Sequence, residues 1–247
     1  MLEMIQALDE AALLWIQEWL RCPVLDTFFS AFTQLGNAGL VWLVVSGGML
    51  LFPKARRAGF WALVAMLFGL LCTNIVLKHL VGRVRPWLVV EGLTRLVAEH
   101  DPNSFPSGHT CAAFAAGATW ARYAKKRWLK GLCIAQAVLM GFSRLYVGVH
   151  FPSDVLAGCA VGLSCAWLSL QGSQWVDRKR DRNERAGPDP GGHGSGDGLA
   201  RLPPGAPGGL FLGRVPILEG RFPGAGLDRE PDGDRHHIRR GGHSGGH

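Results

Sequence analysis

The sequence predicts an all-α, integral-membrane helical bundle of five to six spans, with interfacial helices at its N-terminus. Three observations carry this expectation. Composition divides the chain: residues 1–175 are rich in Leu, Val, Ala, Phe and Trp, whereas residues 186–247 are mostly Gly, Pro and charge, so the hydrophobic fraction of 48% averages two unlike parts. Ala58–Leu77 runs without a charged side chain for about the length a bilayer core demands. Short basic blocks separate the apolar segments, as at the cytoplasmic ends of spans. The formal charge of +7 therefore reads as membrane orientation, and no nucleic-acid partner is expected.

In the first 36 residues, Leu2, Ile5, Leu8, Ala12, Trp15, Ile16 and Trp19 form an apolar stripe at helical spacing among Glu3, Asp9, Glu10 and Glu18. Pro23 interrupts the stripe and Leu25–Leu35 resumes it. Two amphipathic helices in the interface fit this pattern, with Trp15 and Trp19 at headgroup depth. One weakly apolar span is the alternative. Spans are expected over Asn37–Phe52, Ala58–Leu77, His109–Ala121, Gly131–Val147 and Pro152–Leu170. The third is short and rich in small residues, from Ala112 to Ala118, which suits close helix packing. The expected organisation is an interfacial segment 1–36, a transmembrane catalytic domain 37–172, and a tail 173–247 that is basic, then Gly/Pro-rich, disordered and cytoplasmic.

Basic blocks follow the first span (Lys54, Arg56, Arg57), the third (Arg122, Lys125, Lys126, Arg127, Lys130) and the fifth (Arg178, Lys179, Arg180, Arg182). With five spans all three blocks lie on one side, expected to be cytoplasmic. Segments 1–36, 78–108 and 148–151 then face outward. Lys78, Arg83, Arg85 and Arg95 break the inside rule and need another reason to be there, which phosphate binding supplies. The six cysteines include no C-x-x-C pair, and five fall within expected spans. They read as small buried hydrophobes, without a disulfide framework or metal site. No cleaved signal peptide is expected, because the N-terminus lacks a basic region, an apolar run and a small-residue cleavage site.

Three separated pieces converge on the outer face: Lys78 to Pro86, Pro106-Ser107-Gly108-His109, and Ser143 to Asp154. Taken alone, Arg144 is equally a loop charge, and His150 with Asp154 a helix-capping pair. Together the pieces permit phosphoryl transfer through a covalent intermediate. Arg85 and Arg144 offer planar forks for phosphate oxygens and Lys78 a point charge. The Ser107 hydroxyl and the Ser107 and Gly108 amides can donate at a helix start, where Gly108 lets the backbone approach the anion. His150 is the nucleophile in this scheme and Asp154 holds its other ring nitrogen, while His109 protonates the leaving oxygen and later activates water. The cationic side chains neutralise the phosphate, so no metal or other cofactor is expected.

These pieces resemble the signature of the type 2 phosphatidic acid phosphatase (PAP2) superfamily, which also includes the vanadium haloperoxidases. That signature is K-x6-RP, PSGH and SR-x5-H-x3-D. The chain has Lys78, six residues and Arg85-Pro86; then Pro106 to His109; then Ser143-Arg144, five residues, His150, three residues and Asp154. The resemblance spans roughly residues 23–172. It implies an α-helical bundle and metal-independent hydrolysis of lipid phosphates or diphosphates. It implies His150 as nucleophile, His109 as general acid, Asp154 as partner of the nucleophile, and Lys78, Arg85, Ser107, Gly108 and Arg144 as phosphate ligands. The expected substrate is a polyprenyl or glycerophospholipid phosphate, undecaprenyl diphosphate first, with phosphatidylglycerophosphate or phosphatidate next. The expected setting is the bacterial inner membrane with the site facing the periplasm. A haloperoxidase and a non-catalytic lipid-binding protein are the competing readings. Oligomeric state is not legible.

Among the neighbours, His79 and Arg83 read as rim or structural groups. Arg95, His100 and Asp101 read as loop residues that could gate access or meet a second phosphate. Trp87, Leu88 and Tyr146 read as interface or packing side chains. The tail holds eighteen glycines and eight prolines over residues 186–247, one apolar patch (Leu210–Ile217) and, near its end, His236, His237, His243 and His247, and reads as a solvated appendage.

Overall fold

A computed structural model describes residues 2–186, so the expectations for the Gly/Pro-rich tail lie outside the described residues. The chain begins with α1 (Leu2–Trp19) and α2 (Pro23–Leu35), the second started by Pro23 at its first turn. A 3₁₀ turn, Asn37–Gly39, follows. There Ala38 and Gly39 take positive φ of 51° and 70°, which breaks the helix before α3 (Leu40–Leu50). Next come α4 (Arg56–Leu70), a π-helical stretch Leu71–Leu77, α5 (Lys78–Val81) and α6 (Pro86–Val89). α7 (Gly108–Tyr123), α8 (Arg127–Tyr146) and α9 (Pro152–Ala186) complete the bundle.

Two helices among the described residues are long and apolar enough to cross a membrane by themselves: the continuous α4–α5 unit, Arg56–Val81, and α9. The α2–α3 pair, bent by 48°, makes a third if counted as one broken span. The expected first span is therefore shorter than read, because the left-handed residues at 38 and 39 cut the helix at Leu40. α7 has 16 residues, below the length of a bilayer core, and α8 carries Arg127, Lys130 and Arg144. The last helix runs past the expected end at Leu170 to Ala186, supported in its basic segment by an Arg180–Glu184 ion pair one turn apart. Large apolar side chains stay exposed around the bundle, among them Phe60, Leu67, Ile75, Leu132, Val138, Leu156 and Trp167. Such a surface suits lipid rather than water.

The middle of the bundle is α7, packed against α4, α8 and α9. Its Ala113, Ala115, Ala116 and Gly117 are buried, so the expected small-residue packing is observed. The approach is closest where glycines face backbone. A Cβ added at Gly117 would lie 2.5 Å from the Cys133 carbonyl oxygen. On α9, added Cβ atoms at Gly158 and Gly162 would lie 2.5 Å from the carbonyl oxygens of Ser107 and Cys111. Gly158-x-x-x-Gly162 thus sets the depth at which α9 seats against the start of α7. Gly162→Val is expected to destabilise the bundle by about 1–3 kcal/mol through overpacking. A lower melting temperature in detergent, with exposed Leu163→Val as the control, checks this.

Polar groups within the bundle are paired across helices: Trp42 Nε1 donates to Gln136 Oε1 at 2.8 Å and Ser169 Oγ to the Trp61 carbonyl at 2.6 Å. At one end of the bundle, Ile16 and Phe29 pack on Tyr146, Val147 and Val149. This seats α1 and α2 against the end of α8 and the turn that follows it. On α1, Leu8, Trp15 and Trp19 remain exposed.

Candidate active site

The three sequence pieces meet beside α7. Lys78 follows the π-helical stretch, whose wider turns shift the face on which the next residues emerge. Gly82, at φ 60°, ends α5 in the left-handed conformation, and the chain turns to place Arg85 directly before α6. Ser107 caps α7, which puts Gly108 and His109 in its first turn. Arg144 lies in the last turn of α8, His150 in the α8–α9 turn, and Asp154 in the first turn of α9.

A single cavity of about 270 Å³ is lined by Lys78, Arg85, Glu99, Gly108, His109 and His150. Its wall continues along α3 and α4 through Leu43, Leu63, Met66, Leu67 and Leu70. Both imidazoles therefore border the same space. Arg144 and Asp154 lie behind its wall, buried at 1% and 0% exposure.

Within this wall Arg85 makes three hydrogen bonds. Its Nε donates to the Asp101 carbonyl at 3.0 Å, and one terminal nitrogen donates to the Val149 carbonyl at 3.0 Å and to His150 Nε2 at 2.9 Å. Its other terminal nitrogen lies 3.7 Å from Glu99 Oε1. Arg144 donates to Thr33 Oγ1 and to Glu99 Oε2, both at 2.6 Å. Lys78 is paired with Asp101 at 2.5 Å. His109 Nε2 donates to Asn37 Oδ1 at 3.1 Å, tying the ring to the broken turn between α2 and α3.

The bond from Arg85 fixes His150 Nε2 as an acceptor, so a neutral ring carries its proton on Nδ1. Asp154 Oδ2 faces that nitrogen at 3.7 Å, beyond hydrogen-bonding distance, and Nδ1 has no partner. This departs from the expected direct bond. The carboxylate is occupied elsewhere: Oδ1 accepts from Arg83 at 2.8 Å, and Oδ2 accepts from the Phe151 amide at 2.9 Å and from the Ser104 hydroxyl. Ser107 departs too. Its amide donates to the Asp154 carbonyl at 3.0 Å, and its hydroxyl accepts from Thr110 Oγ1 at 2.9 Å as the cap of α7.

Residues 58–178 match the family model of the PAP2 superfamily. Phosphatidylglycerophosphatase B of Bacillus subtilis is 31% identical over 189 residues, which cover 72% of this chain and 87% of that protein. Undecaprenyl-diphosphatase of Sulfolobus acidocaldarius is 32% identical over 131 residues, 53% of this chain and 63% of that protein. The crystal structure of Aquifex aeolicus LpxE aligns with a TM-score of 0.57 at 30% identity, covering 69% of this chain and 94% of that one. The chain belongs to the PAP2 superfamily.

As a PAP2 member it is a phosphatase of membrane lipids. Around the PAP2 signature the structure adds groups that the motif does not contain. Arg83, read from sequence as a rim or structural group, is a brace. It joins Asp154 to Asp9 of α1 at 2.8 Å each, donates to Gln6, and lies 3.9 Å over the Phe151 ring. Asp9 is 4% exposed and also accepts from the Ser153 amide at 3.0 Å. Sequence reasoning missed Asp9, Thr33, Asn37, Glu99 and Ser104. The one available signal was the run of cations Lys78, Arg83 and Arg85 at the end of an apolar segment, which requires acids nearby. His79 and His100 are exposed, and the His79 ring is bonded to the Ile75 carbonyl rather than to this cluster.

His150 lies in a turn outside the helices. Burial, then the charges of Arg85, Arg144 and Lys78, push its pKa well below the ordinary imidazole value. The neutral ring keeps its Nε2 lone pair and is lost only as pH falls through that lowered pKa. Nitrogen NMR of 15N-histidine-labelled protein is expected to show a neutral His150 that persists as pH drops from about 7.5 to about 5.5, through the ordinary imidazole midpoint of about 6.5. A midpoint at that ordinary value would contradict the burial of the charge.

Proposed function

We propose that the chain hydrolyses a lipid phosphate or diphosphate at the external membrane face, without metal, through a phosphohistidine on His150, and that undecaprenyl diphosphate is its substrate. One observation carries this reading: the cavity that takes in Lys78, Arg85 and both imidazoles is continuous with an apolar wall on α3 and α4. A phosphate with a long hydrocarbon chain matches both chemistries. Likeness to the Sulfolobus acidocaldarius undecaprenyl-diphosphatase supports the polyprenyl choice.

In this mechanism the incoming phosphate draws Arg85 off His150 Nε2, which attacks phosphorus. The bond from that phosphorus to the leaving oxygen breaks, the bridging oxygen in a diphosphate or the lipid oxygen in a monophosphate, as His109 gives that oxygen a proton. His150 becomes cationic at its ring, and the Asp154 carboxylate behind Nδ1 stabilises it. Water then attacks the phosphoryl group, His109 takes its proton, and the phosphorus–nitrogen bond breaks to release orthophosphate. Arg85, Arg144 and Lys78 balance the charge in the transition state, and the Gly108 amide at the start of α7 adds a donor.

For topology, we propose five spans over residues 37–172, the amphipathic segment 1–36 at the outer interface, and a cytoplasmic tail from 173, in a bacterial inner membrane. The support is the common side of the three basic blocks. Labelling of a cysteine placed at Arg127 from outside intact cells would invert this arrangement.

Purified protein in EDTA, offered undecaprenyl diphosphate, phosphatidylglycerophosphate and phosphatidate, is expected to release orthophosphate fastest from the first. No release from any lipid would end the functional reading, and a strong metal requirement would end the mechanism. Faster release from phosphatidylglycerophosphate would favour the second reading, which rests on likeness to phosphatidylglycerophosphatase B over 87% of its length.

A further inference from the structure

Glu99 lies outside the signature, yet its carboxylate sits between the two buried guanidinium groups. One oxygen accepts from Arg144 at 2.6 Å and the other lies 3.7 Å from Arg85. The remaining donors of Arg85 are spent on the carbonyls of Asp101 and Val149 and on His150. One terminal nitrogen of Arg144 is spent on Thr33, and its Nε is buried without a partner. The terminal nitrogen left on each fork thus faces Glu99, and Arg144 has a further donor unused. The Glu99 side chain is 22% exposed and lines the cavity, whereas the arginines it bridges are 1% exposed. It is the accessible partner of a buried pair.

We infer that Glu99 is a resident anion that competes with phosphate for Arg85 and Arg144, and so sets which anions enter the cage and how fast orthophosphate leaves it. This rests on the reading of those arginines as phosphate ligands. Charge supplies the reason. Lys78, Arg85 and Arg144 face Asp101 and Glu99, leaving the cage near one net positive charge. A phosphate dianion repels the carboxylate and outcompetes it, whereas a monoanion such as a phosphodiester gains too little to displace it. After hydrolysis the same cage holds orthophosphate in buried surroundings, where two unpaired guanidinium charges are costly. The returning carboxylate re-pairs both arginines, so release does not leave them bare.

The test is orthophosphate binding to the detergent-solubilised full chain, read by calorimetry, together with orthophosphate inhibition of lipid hydrolysis. Glu99→Gln keeps the shape and removes the charge. It is expected to bind orthophosphate about tenfold more tightly, the loss of one charged competitor at a guanidinium fork. It should also show a lower kcat under multiple turnover, with single-turnover phosphate cleavage retained. Glu99→Asp, with shorter reach to Arg85, should tighten orthophosphate binding by a smaller factor, and it carries the test if the glutamine variant fails to fold. Equal or weaker orthophosphate binding by the folded variant, with the parent protein active, would make Glu99 a prop for Arg144 and overturn the inference alone. A parent protein that neither hydrolyses lipid phosphates nor binds orthophosphate would overturn the functional reading with it.

Discussion

His150→Ala is expected to reduce turnover of the lipid substrate by about four orders of magnitude or more, the scale seen when a covalent nucleophile is removed from a coupled site. The variant should still fold. His150 sits in a turn whose neighbours Val147, Val149 and Phe151 are each fully buried and pack on α1 and α2 without it. Arg85 keeps its bonds to the Asp101 and Val149 carbonyls when the imidazole is gone. Two measurements separate loss of the nucleophile from loss of the cage. Rapid quench into alkaline denaturant, in which a phosphorus–nitrogen bond survives, should trap a phosphoprotein from phosphorus-labelled substrate in the parent chain and none in the variant. Orthophosphate should still bind the variant, because its cationic donors remain. Normal turnover by His150→Ala would dismiss the nucleophile assignment, whatever the cavity looks like.

The arrangement behind that expectation was partly legible in the sequence, and the division has a physical basis. Spacing within one helix or turn survives in the chain. The pairs Lys78/Arg85, Ser107/His109 and His150/Asp154 each sit within one or two turns, so their convergence followed from the ends of apolar runs. The Ala-rich α7 likewise announced its close packing through side-chain size alone. What pairs across long separations left no such trace. Glu99 meets Arg144 forty-five residues away and Arg83 meets Asp9 seventy-four residues away. An acid in an irregular loop, or on the polar side of an amphipathic helix, has the same local pattern whether solvated or buried. The break at Ala38 and Gly39 was hidden because alanine rarely takes positive φ, so the run from Asn37 read as one uninterrupted span. Asp154 shows a subtler failure. Its spacing to His150 was read as a hydrogen bond, but the carboxylate is claimed by the Phe151 amide at the start of α9 and by Arg83. Both the catalytic and the capping readings of the pair describe one residue.

His109→Ala is expected to cost about two to four orders of magnitude on the native lipid, the range of a positioned general acid. The loss should shrink toward tenfold on an aryl phosphate whose leaving oxygen needs no proton, about one pKa-matched step of assistance. That dependence distinguishes acid catalysis from simple damage, which would lower both rates alike. The ring's surroundings make a second variant informative. Gly36 ends α2 against His109, and an added Cβ there would lie 2.8 Å from His109 Cδ2 and 2.9 Å from the Met140 methyl carbon. Neither neighbour has slack: Met140 is 1% exposed in the bundle core, and the ring is tied to Asn37. Gly36→Ala must therefore push the imidazole out of line while leaving its chemistry intact. If His109 is the acid, this variant should reproduce the same substrate dependence in weaker form, slow on the lipid and nearly normal on the aryl phosphate. Equal losses on both substrates would mean that the Gly36 contact supports the cage as a whole, and the aim of His109 at the leaving oxygen would have to be abandoned.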